Sequence, residues 1–326
     1  MDYKSKQSPL VSIRCLVYNH EPYLRQCLDG FVMQKTDFAF VAIVHDDAST
    51  DGSAAIIQEY ADKYPDIIKP IFETENQYSK RDGSLSKIMD NAIHPDAKYI
   101  AFCEGDDYWI DASKLQKQVN YMESHPECML CGSNGLILTE KGLMRPAYFN
   151  QDFTSRIIDI KEIIGHWHFP TCSLIYRKSM NENYPEWTSQ IYSGDQTRTL
   201  LAGIKGSIYS IGETTCVYRK MPENPYSLTN ITQKNRLFEI TEHIKLYTYF
   251  REEVPKDYYN IITEHINCLK KERDYILLKK QFILKPFFIM PLFSFRKLLF
   301  RNIPSYIKQC IHKYLSIDIL KQGQYN

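Results

Sequence analysis

Apolar runs rich in valine and isoleucine alternate along the chain with longer segments that have a helical spacing of apolar residues. The runs that predict buried strands are 11–19, 38–45, 67–73 and 98–103, and the intervening segments 21–34, 53–64, 84–93 and 113–124 predict helices. Further extended segments are predicted at 128–139, 169–177 and 207–218, with a helix at 196–202 and more helices after residue 225. This alternation predicts a Rossmann-like α/β fold with a mostly parallel sheet and helices on both faces.

The composition is that of a globular protein with a large core. Of the 326 residues, 44% are hydrophobic and 24% are charged, which excludes a disordered tail protein and a disulfide-stabilised miniprotein. The cysteines number nine, and most lie inside apolar runs, as in a reduced cytosolic protein. The first ten residues contain no apolar segment typical of a secretory signal, so we expect a cytoplasmic protein.

The C-terminal part differs in charge from the rest of the chain. Residues 270–326 contain 12 lysines and arginines against 3 acidic residues, although the whole chain has a net charge of +1. The same part contains the most apolar stretch, 281–301, which is interrupted by prolines and basic residues. One interpretation is peripheral binding to an anionic membrane surface through residues 270–326, on the inner face of the cytoplasmic membrane. The other is a helical extension that packs on the main domain.

Acidic residues follow the predicted strands at the edge where ligands bind in parallel sheets. The second strand ends in Asp46 and Asp47, and the fourth leads into Glu104, Asp106 and Asp107. Carboxylates crowded in this way are costly unless a cation lies among them, and a hard divalent ion such as Mg²⁺ or Mn²⁺ prefers oxygen ligands. The sequence therefore predicts an anionic ligand that is bridged to the protein by a metal ion.

Glycine-rich phosphate-binding motifs are missing from the sequence. Neither GxGxxG nor GxxxxGK[ST] occurs, which argues against a Rossmann-type oxidoreductase and a P-loop enzyme. No recognised nucleic-acid-binding motif accompanies the basic C-terminal part, so no nucleic-acid partner is expected.

Four segments of the sequence resemble a known family. Residues 11–20, 46–52, 104–107 and 193–195 read VSIRCLVYNH, DDASTDG, EGDD and SGD. In this pattern the chain resembles the inverting nucleotide-sugar glycosyltransferases of family 2, which have the GT-A fold. The resemblance implies a GT-A domain at residues 1–225, with nucleotide-sugar binding at about 8–110 and an acceptor half at about 111–225. Residues 226–326 would form a helical, basic and apolar C-terminal region.

The resemblance also implies roles for individual residues. Tyr18 would pack on the nucleobase with Asn19 beside it, and Asp47 would hydrogen-bond the edge of the base. Glu104, Asp106 and Asp107 match the metal-binding motif, with glutamate where the family has aspartate. Asp106 would lie toward the ribose and sugar, and Asp107 would bind the metal, although either could be the main ligand. Arg219 matches a late element of the family and would contact the diphosphate.

The resemblance matches Asp195 to the general base that inverting transfer requires. The residues alone favour a different role, because aspartate before a helix often caps it. Trp167 and His168 are expected on the acceptor side of the cleft, where the indole ring could stack on a sugar, or in a packed aromatic loop.

The resulting expectation is a metal-dependent, inverting hexosyltransferase of bacterial surface-glycan biosynthesis. It would move a sugar from a nucleoside diphosphate sugar to a hydroxyl of a saccharide or lipid-linked saccharide. The alternative is a degenerate GT-A protein that binds nucleotides or serves as a scaffold without turnover, and Glu104 in the aspartate position is one feature in its favour.

Overall fold

The structure is a computed structural model that describes residues 8–80, 82–144, 154–220 and 235–284. In the described residues ten strands form one sheet. They are Val11–Val17 (β1), Phe40–Asp46 (β2), Ile68–Phe72 (β3), Tyr99–Phe102 (β4), Tyr108–Trp109 (β5), Cys128–Thr139 (β6), Gly142–Met144 (β7), Arg156–Ile158 (β8), Ile175–Arg177 (β9) and Ser207–Arg219 (β10). Every strand predicted from the apolar runs is present, with ends that coincide or differ by up to six residues.

Eight α-helices connect or cover these strands in the described part of the chain. They are Glu21–Val32 (α1), Ser53–Lys63 (α2), Ser84–Ala92 (α3), Lys114–Ser124 (α4), Ile160–Ile163 (α5), Gly194–Lys205 (α6), Arg236–Glu253 (α7) and Tyr259–Leu284 (α8). Local sequence explains several ends. Pro22 lies in the first turn of α1, where its missing N–H is not needed, and Pro65 follows the end of α2.

The sheet has a parallel half and a mixed half. Its strand order is β3-β2-β1-β4-β9-β6-β10-β5, and the four strands from β3 to β4 are all parallel. The short strand β9 runs antiparallel to both β4 and β6, whereas β6 and β10 are parallel. The expected α/β alternation is confirmed, and the carboxyl ends of β1, β2 and β4 meet at one edge.

Each face of the sheet has its own hydrophobic core. Alternate β1 residues, from Val11 to Val17, pack with α1, α2 and α4 on one face. On the other face Phe102 and Tyr176 pack with α3, α5 and α6. A strand buried on both sides is mostly apolar, which explains the apolar runs of the sequence.

The helices α7 and α8 belong to the second core. Leu246, Tyr247 and Phe250 of α7 and Ile262 of α8 are fully buried in the same cluster as α5 and α6. The Tyr247 hydroxyl accepts a hydrogen bond from the Gly165 N–H at 2.7 Å. The start of the C-terminal region therefore packs on the domain. Residues 285–326, which carry most of the predicted membrane-binding segment, lie outside the described residues. Within the described ranges, each helix is too short or too polar to cross a membrane.

Candidate active site

The loops after β1 and β2 are joined by the side chain of Asn19. Its Oδ1 accepts a hydrogen bond from the Thr50 N–H at 2.7 Å, and its own N–H donates to the Ser49 Oγ at 2.9 Å. Asn19 and Ala48 both have left-handed backbone conformations, with φ of 55° and 60°. Asparagine tolerates this region, whereas alanine is strained there. Asn19, expected to bind the nucleotide, thus shapes the loop that carries Asp47.

Asp47 is buried, with 4% of its surface exposed. Its Oδ1 accepts a hydrogen bond from the Gln77 N–H at 2.6 Å, and its Oδ2 accepts one from the Tyr78 N–H at 3.0 Å. The carboxylate therefore anchors the loop after β3. A nucleobase that bonds to Asp47 would have to share or displace these bonds. Tyr18, the predicted stacking residue, lies half-buried at the end of β1.

Residues 104–107 form a tight turn against the end of β1. The Gly105 N–H donates to the Leu16 carbonyl at 2.9 Å, and the Leu16 N–H donates to the Glu104 Oε2 at 3.2 Å. A Cβ at Gly105 would lie 2.8 Å from the His20 Nδ1 and 2.9 Å from a Val17 methyl group, so glycine is required by this close approach. The turn thus holds its carboxylates at fixed positions on the sheet edge.

The two neighbouring aspartates of this turn have different surroundings. Asp107 is only 1% exposed, and its Oδ1 accepts a hydrogen bond from the Arg219 N–H at 2.8 Å. Burial, with the nearby Asp106 charge as a second cause, raises the pKa of Asp107 well above its usual value. Asp106 keeps partial exposure. Of the two candidate metal ligands, Asp107 is therefore enclosed, whereas Asp106 keeps part of its surface exposed.

Arg219 connects the end of β10 to the acidic turn. Its guanidinium donates to the Asp106 carbonyl and to the Gln26 Oε1, and it lies 4.5 Å from the ring centre of Tyr108. With only 6% exposure, Arg219 is largely committed to the protein. The expected contact with a diphosphate has little exposed surface available in this arrangement.

Asp195 lies in the first turn of α6. The predicted helix start at Gln196 is wrong by two residues, because α6 begins at Gly194 and Ser193 is the capping residue. The Asp195 Oδ1 accepts a hydrogen bond from the Gln196 N–H at 2.7 Å, and its Oδ2 accepts one from the Thr171 hydroxyl at 2.8 Å. Asp195 is thus oriented on two sides and remains partly exposed.

Electrostatics links Asp195 to the acidic turn. Burial raises the pKa of Glu104 to about 7; Arg14 opposes this rise, and the charges of Asp106 and Asp195 add to it. Residues separated by some 90 positions in the chain therefore lie close enough for their charges to interact. An arrangement of like charges at one edge favours a bound cation.

The two aromatic residues predicted on the acceptor side lie beside Asp195. Trp167 donates from its indole N–H to the Asp195 Oδ2 at 3.3 Å, and its ring meets Tyr218 edge to face. Trp167, His168 and Asp195 line one pocket together with part of α6. Burial lowers the pKa of His168, and its Nε2 is enclosed without a hydrogen-bond partner among the described residues. The loop that contains Trp167 and His168 is therefore packed against its neighbours and also forms part of the pocket wall.

Some residues of the site were not expected from sequence. Thr171 carries no motif, and only the fold shows that its hydroxyl bonds to Asp195. Arg198 lies one helical turn after Asp195, and Arg14 interrupts the apolar run of β1. A charged residue inside a buried strand is a signal that could have drawn attention to Arg14.

The donor atoms at the turn suit a hard divalent cation. Carboxylate oxygens are the ligands that Mg²⁺ and Mn²⁺ prefer, and a protein often supplies only one or two of them beside substrate phosphates. Within the described ranges, no three histidine, cysteine or acidic side chains come together as a complete metal site. The partly exposed Asp106 and the adjacent Glu104 are the residues of the turn that fit such an ion.

The sequence is similar to that of a known family and to those of several individual proteins. A sequence model described as Glycosyl transferase family 2 matches residues 12–184. The uncharacterized protein Rv1520 of Mycobacterium tuberculosis is 33% identical over 210 residues, which is 64% of this chain and 58% of that protein. The chain thus spans less than two thirds of this relative. The minor teichoic acid biosynthesis protein GgaB of Bacillus subtilis is 25% identical over 51% of this chain and 18% of its own length.

Solved structures share the architecture. S. aureus TarS residues 1–349, in complex with UDP-GlcNAc, superposes with a TM-score of 0.57 at 17% identity, over 79% of this chain and 71% of that chain. The mannosyltransferase PcManGT from Pyrobaculum calidifontis, in complex with GDP-Man and Mn²⁺, gives a TM-score of 0.57 at 16% identity. That match covers 85% of this chain and 74% of the other. At this level of identity the likeness shows a common fold.

Proposed function

The chain belongs to glycosyl transferase family 2 and has the GT-A fold, and from this premise we propose that it transfers a sugar from a nucleoside diphosphate sugar. The acceptor is a hydroxyl of a saccharide or a lipid-linked saccharide, and the anomeric carbon is inverted. Inversion by a single displacement needs one general base to take the proton of the acceptor hydroxyl. Asp195 fills that role.

The observation that carries the proposal is an oriented, partly exposed Asp195 carboxylate that lines a pocket and lies close enough to the acidic turn for their charges to interact. The partly exposed carboxylate of Asp195 is oriented by Thr171 and Trp167, and its charge acts on Glu104. A donor held at the turn would present its anomeric carbon within reach of an acceptor bound beside Asp195. Orientation by hydrogen bonds lowers the entropy cost of bringing the reacting groups together.

The donor lies along the carboxyl edge of the parallel half. Tyr18 would stack on the base, with Asp47 and its loop 76–78 beside it. A divalent cation, held by Asp106 and Glu104, would neutralise the charge that develops on the leaving diphosphate. Asp107 and Arg219 keep the turn in place through the hydrogen bond between them.

Support for the nature of the donor and acceptor comes from the relatives. TarS and PcManGT bind UDP-GlcNAc and GDP-Man, respectively, so the fold accommodates either base. GgaB is named for teichoic acid biosynthesis, which is in keeping with a cell-envelope glycan as the product here. A lipid-linked acceptor would bring the enzyme to the cytoplasmic membrane surface, toward which the basic residues of 270–326 would be attracted. Flotation of the full chain with anionic and neutral vesicles at low and high salt tests this membrane association.

A binding or scaffolding role without turnover is the second candidate. It is favoured by the fact that both oxygens of Asp47 and most of Arg219 are already used to hold the protein together. Such a protein would bind nucleoside diphosphate sugars and leave them intact.

The test is the release of nucleoside diphosphate from UDP-, GDP- and dTDP-sugars in the presence of saccharide and lipid-linked saccharide acceptors, measured with Mn²⁺ and with EDTA. The proposal expects release from one donor class, with a strong requirement for the metal. Tight binding without release from any donor would establish the second candidate, and no binding of any nucleotide sugar would overturn both.

A further inference from the structure

The arginine of α6, Arg198, lies one turn beyond Asp195. Arg198 stacks on the rings of Phe102 and Tyr176, with the guanidinium carbon 4.8 Å from each ring centre. Its Nε is enclosed and has no hydrogen-bond partner among the described residues, and the same is true of the Tyr176 hydroxyl. The Arg198 side chain as a whole keeps partial exposure. Two polar groups thus meet in one place without the partners that burial requires.

Arg14 supplies a second guanidinium next to this place. It projects from the middle of β1, its side chain is 11% exposed, and it pairs with Asp90 of α3 at 3.4 Å. Burial lowers the pKa of Arg14, and the charge of Arg198 is the second cause. The other titratable groups that act on this pair are Glu104, Asp195, Tyr176 and Tyr184.

The cluster has more hydrogen-bond donors than acceptors, which is unusual for side chains with a purely structural role. Asp90 is half exposed and bonds only weakly to Arg14, while Arg198 has aromatic rings around it and no hydrogen-bonded acid in the described part of the chain. A guanidinium offers five N–H donors in a planar fork, a shape that matches carboxylate and phosphate oxygens. An incoming oxyanion would satisfy the Arg198 Nε and separate the charges of the two arginines.

The position of the cluster in the fold suits contact with the sugar end of a bound donor. Tyr18 and Asp47, the nucleobase residues of the proposed function, follow β1 and β2. Arg198 lies over β4 and β9, through Phe102 and Tyr176, and β4 leads directly into the acidic turn. A donor that extends from the base site across the turn would reach Arg198 with its sugar or its terminal phosphate.

We infer that Arg14, Arg198 and the Tyr176 hydroxyl form an oxyanion subsite on the sugar side of the donor. The oxyanion is either the carboxylate of an acidic sugar or the phosphate that carries the sugar, and both offer the same oxygen geometry to the arginine fork. This inference rests on the proposed function, because it assumes that a nucleoside diphosphate sugar binds along this edge.

The test is calorimetric binding of matched donor pairs in the presence of Mg²⁺. The pairs are UDP-glucuronate with UDP-glucose and GDP-mannuronate with GDP-mannose, and free UDP and GDP complete the set. For a carboxylate subsite the wild-type protein should prefer the acidic sugar by at least about tenfold, and Arg198→Met should remove that preference while free UDP or GDP binds as before. For a phosphate subsite Arg198→Met should weaken both members of a pair about tenfold, without a preference in the wild type.

Two further variants make the result decisive. Arg198→Lys keeps the charge but not the fork, so it should lose part of the effect even if Arg198→Met folds poorly. Arg25→Met, at an exposed arginine paired with Glu59, is the matched control and should bind every ligand as the wild type does. Donor binding that neither Arg198→Lys nor Arg14→Met alters would overturn this inference alone. No binding of any nucleotide by the wild-type protein would overturn the proposed function as well.

Discussion

The carboxylates of the parallel half and the carboxylate at the start of α6 are held in different ways. Asp47 and Asp107 are buried, and their oxygens accept hydrogen bonds from main-chain N–H groups of Gln77, Tyr78 and Arg219. Asp195 stays partly exposed, and side chains from another loop bond to its Oδ2. The first arrangement fixes the backbone around the donor, whereas the second fixes a carboxylate that can still meet a ligand.

This difference in burial and hydrogen bonding indicates which carboxylates of the family motifs have a structural role and which can take part in the reaction. Substitution of a carboxylate that accepts hydrogen bonds from buried N–H groups leaves those groups without an acceptor, so it should mainly lower the free energy of unfolding. Substitution of a partly exposed carboxylate next to a cleft should mainly affect binding or catalysis. Asp106 and Asp107, which are adjacent in sequence, fall on opposite sides of this division.

Apart from that at Asp195, the largest effect expected from the comparison is at Asp106. Asp106→Asn should lower metal-dependent donor turnover by about 100-fold, because one ligand of the cation that stabilises the leaving diphosphate is lost. The free energy of unfolding should change by less than about 0.5 kcal/mol. Turnover with titrated Mn²⁺ and urea denaturation measure the two quantities. Asp96→Asn, on an exposed turn, is the control, and a variant with full metal-stimulated activity would remove Asp106 from the metal site.

Asp107 should show the opposite pattern. Asp107→Ala leaves the buried Arg219 N–H without its acceptor and should lower the free energy of unfolding by about 1–3 kcal/mol. Asp107→Asn keeps an acceptor oxygen and should cost less. Urea denaturation of both variants checks this order. Equal stability of the alanine variant and the wild type would show that the hydrogen bond to Arg219 does not contribute to the free energy of unfolding.

The raised pKa of Glu104 predicts a pH dependence of stability in metal-free protein. The pKa is about 7 in the folded protein against 4.5 as the ordinary value, so the folded state binds this proton more tightly. The resulting stabilisation is complete below pH 4.5 and is lost as the pH rises to about 7, with a size on the order of 3 kcal/mol. Denaturation in EDTA from pH 4.5 to 8 should show a fall that is smaller in Glu104→Gln. Parallel curves for the two proteins would contradict this assignment.

A smaller effect is expected where Asp195 is oriented. Trp167→Phe removes the indole N–H that donates to the Asp195 Oδ2 and should reduce turnover by about two- to tenfold. Donor affinity should not change. Trp187→Phe, at a tryptophan that bonds to Glu253 on the surface, is the matched control. If the two variants have the same turnover, Trp167 does not orient the base.

Much of the fold was predictable because local rules act on the parallel half. Apolar runs such as that of β1 can only be satisfied between two layers of helices, and Pro22 and Pro65 mark helix ends. The mixed half was less predictable. The strand β9 is three residues long and pairs antiparallel with β4 and β6. These contacts join segments that are far apart in the sequence, so no local pattern predicts them.

The site was predictable at the level of residue types and not at the level of contacts. Motif spacing identified Asp47, the acidic turn and Asp195 as candidates, and in the structure the charge of Asp195 acts on Glu104 of the turn. Sequence could not show that Asp107 faces the Arg219 N–H while Asp106 keeps its exposure, since this depends on where β10 ends. Nor could it show that Arg14 and Arg198 lie together, since only the packing of α6 on β4 brings them close.

If Asp195 is the general base, it acts on the acceptor and not on the donor, and the variant Asp195→Asn distinguishes the two. Turnover should then fall by about 10²–10⁴-fold while the donor Kd stays within about threefold of the wild type. Asp257→Asn, at an exposed aspartate, should leave both quantities unchanged. A donor Kd that rises in step with the loss of turnover, or turnover that survives the substitution, would contradict the claim.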